Sequence, residues 1–265
     1  MKNTRDVTIK DKLRLYYDIE LLKLKNIKRD YKIINQEYND GFWSGKSADT
    51  ANFETWVGNY GNSAEQVRIY VRDGKFFKGT KKEYAEEYYL QLDNVLEQYK
   101  NESIVELGCG RGHILFRLYH KNCKKLTGYD ISENAISQLQ EYCTQKKYPI
   151  NFDVQDLNKP FSPEIIKNKI VYTHTCLEQL KNYMPNVLKN IINGKPKLVI
   201  NFEVDYDSSP FIVKEYFKAK DYQNNLVREL KKLEKQNKVE IVSIKKFSLA
   251  LSPTNRLSTI IWKIK

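Results

Sequence analysis

Glu106-Leu107-Gly108-Cys109-Gly110-Arg111-Gly112 sets a carboxylate and three singly spaced glycines directly behind a short apolar run, Ile104-Val105. Glycines so placed let the chain turn sharply and let a ligand lie against the backbone, because no Cβ stands in the way. An apolar helical pattern follows at His113-Ile114-Leu115-Phe116-Arg117-Leu118, and a helix start offers free N–H groups and a positive dipole end. Strand, glycine turn and helix in this order form the ligand crevice of an open α/β sheet. The dinucleotide fingerprint Gly-x-Gly-x-x-Gly is excluded, because His113 holds the place of its third glycine. Two more acids end strand-like runs: Asp130 after Leu126-Thr127-Gly128-Tyr129, and Asp156 after residues 150–155. Asp130 comes about twenty residues beyond the glycines, where an acid suits a bidentate hydrogen bond to a ribose diol. His174 ends a further apolar run, with Glu178 four residues on. An imidazole of ordinary pKa near 6.5 takes up a proton close to neutrality, and Glu178 is placed to orient it or to meet a substrate.

The pattern Glu106-x-Gly108-x-Gly110-x-Gly112 resembles motif I of the class I S-adenosylmethionine-dependent methyltransferases. Asp130, Asp156 and the loop Thr173-His174-Thr175-Cys176-Leu177-Glu178 follow in that family's order and spacing, so the resemblance spans about residues 100–265. It implies S-adenosylmethionine as cofactor, with S-adenosylhomocysteine as product. It places Glu106, Gly108, Cys109, Gly110, Gly112, Asp130, Ile131, Asp156, Leu157 and Thr173 at that cofactor, with Asp156 meeting the adenine amino group. It also implies a Rossmann-like α/β fold: a seven-stranded, mostly parallel, doubly wound sheet closed by an antiparallel C-terminal hairpin. One departure narrows the acceptor. The chain lacks the Asn-Pro-Pro-Tyr or Asp-Pro-Pro-Tyr that base- and amide-methylating relatives carry after the fourth strand. Neither the double-carboxylate loop nor the threonine-histidine-tryptophan pair of the arginine methyltransferases is found either.

The elements that must position these residues read as βα units. Strands are expected near 103–107, 125–129, 151–154, 170–173 and 197–203, then a long helix over 213–236 and two last strands over 239–248 and 257–264. Upstream, residues 8–38 carry an apolar stripe of helical period, expected to dock on the main domain. Residues 80–99 read as a second helix, with Thr80 and Glu83 as a capping box. Between them, aromatics mix with glycines, and Asp73-Gly74 signals a hairpin. A long irregular segment in a compact domain is usually functional. Residues 1–99 are therefore expected to form a helical and looped lid, with Trp56 and Tyr60 against the substrate, and residues 100–265 to form the cofactor-binding domain. Glu203 and Asp205, just past the fifth strand, are candidates for substrate contact.

Composition sets the remaining bounds. With 41% hydrophobic and 29% charged residues, the chain reads as soluble and globular. No run approaches the eighteen apolar residues of a membrane helix, and the start Met1-Lys2-Asn3-Thr4-Arg5 is no secretory signal, so a cytoplasmic protein is expected. Four dispersed cysteines and three histidines offer no metal pattern. The net charge of +12 invites nucleic acid as a partner, but the lysines are scattered among acids and form no dense basic block. The leading expectation is methyl transfer to an oxygen or nitrogen of a small polar metabolite, by a monomer or homodimer. The alternatives are an RNA or protein methyltransferase, or a non-catalytic protein that binds the cofactor for regulation.

Overall fold

Thr8 and Asp11 exchange hydrogen bonds in a capping box that starts α1 (Ile9–Leu24). The helix cannot run on to residue 38, because Asn26 takes a φ of 44°, and Asp30 caps a new helix, α2 (Tyr31–Gln36). The single helix expected over 8–38 is therefore two. In this computed structural model the described residues are 6–38, 65–222 and 225–265.

β1 (Val67–Arg72) and β2 (Lys75–Thr80) form the expected hairpin. Its turn residues Asp73 and Gly74 both have positive φ, which matches the twist of the strands they join. α3 (Lys81–Leu96) starts at the Thr80–Glu83 capping box and buries Tyr84, Tyr88, Tyr89, Leu92 and Leu96. The βα units follow: β3 (Ser103–Leu107), α4 (His113–His120), β4 (Lys125–Asp130), α5 (Glu133–Lys146), β5 (Ile150–Val154), β6 (Ile170–His174), α6 (Met184–Asn193) and β7 (Leu198–Glu203). The long helix expected over 213–236 is also two, α7 (Phe211–Ala219) and α8 (Leu226–Lys235). The break comes at Asp221, with φ 54°, where the Tyr222 N–H turns back to the Phe217 carbonyl. β8 (Val239–Lys246), β9 (Leu249–Ala250) and β10 (Ser258–Ile264) complete the chain.

Seven strands lie in the order β5-β4-β3-β6-β7-β10-β8, the first five parallel and β10 antiparallel to both neighbours. Alternate residues of the central strands feed two cores. Ile104, Tyr172 and Ile200 face α4, α5 and α7; Val105, Val171 and Val199 face α6 and α8. This burial of both faces makes the sheet doubly wound. The C-terminal strand pair is antiparallel as expected, but its connection is more than a loop. β9 leaves the main sheet and pairs with β1, Val71 opposite Ala250, giving a small sheet β2-β1-β9. α1 packs on α7, burying Ile19 and pairing Lys23 with Glu215 at 2.7 Å. Among the described residues no helix is long and apolar enough to cross a membrane.

Candidate active site

The carboxyl ends of β3, β4 and β6 open into a cavity of about 850 Å³. The glycine turn forms its floor. Gly108 and Cys109 N–H groups bond the Tyr129 carbonyl at 2.7 and 2.9 Å, and Gly110 N–H donates to Asp130 Oδ2 at 2.8 Å. Asp130 Oδ1 accepts from Ser132 N–H at 2.9 Å. One carboxylate thus locks the turn to the start of α5, and burial raises its pKa against the pull of those N–H groups. Glu106 lies beside it, accepting from the Tyr172 hydroxyl at 2.8 Å; burial raises its pKa strongly.

Two of the glycines are required by the protein itself. A Cβ on Gly108 would lie 2.0 Å from Cys176 Sγ, and one on Gly112 would lie 2.9 Å from the Phe152 ring. Both have positive φ, 76° and 67°, where side chains other than glycine are strained. Gly112 serves as N-cap of α4 and does not line the cavity, whereas Gly108, Cys109, Gly110, Asp130, Ile131, Asp156 and Leu157 do. Asp156 Oδ2 is buried and makes no hydrogen bond among the described residues, with the Lys159 ammonium 3.7 Å away.

Past β6 the chain bends at Thr175, φ 50°, an unusual conformation for a β-branched residue. The bend points the Cys176 and Leu177 N–H groups at Glu203 Oε1, each at 3.0 Å, and Thr173 Oγ1 adds a third donor at 2.9 Å. Thr173, Glu178, Glu203 and Asp205 are all buried and do not line the cavity. Burial lifts the Glu203 carboxyl to about 7, partly offset by those donors. Burial, then the charge of Glu203, lifts Glu178 well above its ordinary value. His174 does line the cavity. Its Nε2 lies 2.8 Å from the Tyr88 hydroxyl, and burial lowers its pKa to about 4, so the ring is neutral at physiological pH. His113 sits 6.2 Å away, ring to ring, lowered to about 3 by burial and then by His174.

The opposite wall comes from the N-terminal elements and β9. Tyr38, Arg68, Tyr70, Lys81 and Tyr88 face the cavity, with Leu251 and Asn255 from the β9 connection. Tyr88 was legible only as one tyrosine of an apolar helix face. Arg68, Tyr70 and Lys81 carry no motif, and a link between β1 and β9 has no local signal at all. Trp56 and Tyr60 lie outside the described residues.

A glycine turn of this kind, clamped by an acid at the end of the next strand, on a seven-stranded sheet with an antiparallel end, is the frame of the class I S-adenosylmethionine-dependent methyltransferases. The chain belongs to this family: residues 98–243 match the methyltransferase domain, and the cofactor is S-adenosylmethionine. Magnesium protoporphyrin IX methyltransferase from Synechocystis PCC 6803 is similar in fold. Its structure with bound S-adenosylhomocysteine matches at TM-score 0.57 and 13% identity, over 89% of this chain and 100% of that one. The same enzyme with bound S-adenosylmethionine gives 0.54 and 14%, over 90% and 98%. The eEF1A lysine and N-terminal methyltransferase of Xenopus laevis is 31% identical over 70 residues, 26% of this chain and 10% of the relative. The match thus spans about a tenth of that relative's length.

Proposed function

We propose that this chain transfers the methyl group of S-adenosylmethionine to an oxygen or nitrogen of a small polar metabolite, a sugar or natural-product intermediate. The observation that carries the reading is the size of the cavity and the origin of its walls. Its volume of about 850 Å³ falls in the range of small-molecule sites, and one wall comes from outside the family's domain. On this reading residues 1–99 cap residues 100–265.

The residues present suit the cofactor. Asp130, already fixed by two backbone N–H groups, keeps lone pairs for a ribose diol. Asp156, with a buried oxygen that makes no hydrogen bond among the described residues, suits the adenine amino group, and Ile131 and Leu157 line the same cavity. Glu106, Gly108, Cys109 and Gly110 form the surface for the remainder, while Gly112 and Thr173 support from beneath. When bound, the cofactor supplies an electrophilic methyl carbon on a sulfonium. Methyl transfer there would leave the thioether S-adenosylhomocysteine as the other product, with the cavity walls holding the acceptor in line. Alignment of the two partners is worth on the order of 7–11 kcal/mol. For a hydroxyl acceptor a proton must also leave. His174, neutral and held by Tyr88, is the group placed to take it. Glu178, buried out of the cavity, supports the loop that presents His174.

Incubation of cell extract with methyl-labelled cofactor tests the reading. Label in the small-molecule fraction is expected; label confined to protein or RNA overturns the small acceptor. The net charge of +12 favours an RNA acceptor as second reading. Binding of RNA that persists at raised salt would support it, because affinity from phosphate contacts alone falls steeply with ionic strength. His174→Ala and His174→Asn are expected to lower turnover on a hydroxyl acceptor by about 10²-fold with cofactor affinity intact. Turnover within about threefold of wild type removes the base role.

A further inference from the structure

The cavity carries cations on two sets of elements: Arg111 within the glycine turn, and Lys81 and Arg68 on the N-terminal elements. Its acids, Glu106, Asp130 and Asp156, stand on or just past β3, β4 and β5, around the glycine turn. Lys81 stands at the start of α3 and Arg68 on β1, and the Lys81 charge reaches His113 at the end of the glycine turn. Arg68 and Tyr70 are two apart on one strand and share its face. Arg68 lies opposite Gly79 across β1 and β2, two residues before Lys81, and its charge reaches the Lys81 ammonium. Lys81 is 5% exposed and Tyr70 1%. The Tyr70 hydroxyl is buried and makes no hydrogen bond among the described residues.

An ammonium, a guanidinium and a phenol converging on one wall form a donor set for a carboxylate or phosphate. We propose that Lys81, Arg68 and Tyr70 anchor an anionic group of the methyl acceptor, which is therefore an organic acid or a phosphate ester and not a neutral metabolite. This rests on the small-molecule reading above. The burial of Lys81 agrees with it. Burial, with Arg68 adding to it, drives the ammonium down to about 7, and an anion alongside would hold it charged. The acids at Glu203 and Asp205, which would have suited a cationic acceptor, do not line the cavity.

The test uses the full chain saturated with S-adenosylhomocysteine, titrated by calorimetry with inorganic phosphate and with benzoate. Wild type is compared with Lys81→Met, Arg68→Gln and Tyr70→Phe. Saturable binding of at least one anion is expected, weakened by about tenfold or more in the two charge variants, with S-adenosylhomocysteine affinity unchanged. Preference for phosphate marks a phosphate ester, and preference for benzoate a carboxylic acid. Arg68 is exposed and Tyr70→Phe deletes one hydroxyl, so these two carry the test if Lys81→Met does not fold. The anchor is overturned if the wild-type complex takes up neither anion saturably. It is equally overturned if the variants bind anions as wild type does, or if their S-adenosylhomocysteine affinity falls in parallel, since the cations would then serve the cofactor. Failure of wild type to bind S-adenosylhomocysteine would remove the underlying reading instead.

Discussion

Glu203→Gln removes a buried ionisable group while keeping an oxygen for the Thr173, Cys176 and Leu177 donors that shape the 174–178 loop. The carboxyl titrates at about 7 in the folded chain against an ordinary 4.5. The folded state therefore binds more protons than the unfolded chain between those values, and stability falls as pH rises through them. About 2.5 units at 1.36 kcal/mol each give roughly 3 kcal/mol, present below pH 4.5 and lost above about pH 7. Glutamine cannot ionise, so it escapes that loss. Its amide N–H groups replace an oxygen that makes no hydrogen bond among the described residues, a cost of about 1–3 kcal/mol, but that cost does not change with pH. The Glu178 carboxyl, raised in part by Glu203, would be relieved in the same direction. The assay is urea denaturation of both proteins between pH 5 and 8.5. The stability difference should move in favour of Glu203→Gln by about 2–3 kcal/mol across that range. A difference that stays constant with pH would refute the reasoning, because His113 and His174 titrate alike in both chains and cancel.

Asp130→Ala should weaken S-adenosylmethionine binding by about tenfold or more, since charge-assisted bonds contribute about 1.5–3 kcal/mol; unchanged calorimetric affinity would remove Asp130 from the site. Gly108→Ala should destabilise the fold by about 3 kcal/mol, part from the left-handed backbone and part from overlap with Cys176. Cys176→Ala in the same chain should restore only the overlap share, as read from a double-mutant cycle in denaturant. Acid should also act through the imidazoles. His113 and His174 have folded pKa values depressed to about 3 and 4, so the unfolded chain binds more protons and stability is lost as pH falls from about 6.5 towards 4. His174→Gln should flatten that loss in denaturation curves.

The glycine-turn side of the cavity was legible because its signals are local. Three glycines and the acid of the next strand lie within one βαβ unit; that acid was expected to meet a ribose diol, and its bond to the Gly110 N–H is seen only in the structure. The strand positions were legible from apolar runs and their spacing, while the seven-stranded, mostly parallel sheet came from the family resemblance. Helix breaks were not legible: Asn26 and Asp221 take positive φ inside runs whose apolar pattern continues across them, and pattern alone does not show where a single residue leaves the helix. Glu203 illustrates a second limit. An acid at the carboxyl edge of the sheet reads as a ligand contact, yet the strained bend at Thr175 turns two N–H groups onto it and makes it a support for the loop. The proposed acceptor wall lay furthest from view, because it depends on pairing between Val71 and Ala250, residues distant in the chain.

α3 joins those two sides. Lys81 opens the helix, Tyr88 holds His174 from its second turn, and Gln91 grips β9, donating to the Leu249 carbonyl at 2.9 Å and accepting from Ser248 N–H at 2.7 Å. One rigid element thus sets the distance from the proposed anion anchor to the proposed base. Seven residues at 1.5 Å each separate Lys81 from Tyr88 by about 10 Å along the helix axis. An acceptor held at both ends would carry its anionic group and its nucleophilic atom at a separation of that order, adjusted by the reach of the lysine. A molecule of one or two rings satisfies this, and a single small hydroxy acid does not. Among matched acids tested as acceptors, turnover should rise with the spacing between anion and nucleophile up to about that length. A preference for the shortest acids would place the anion anchor or the base elsewhere.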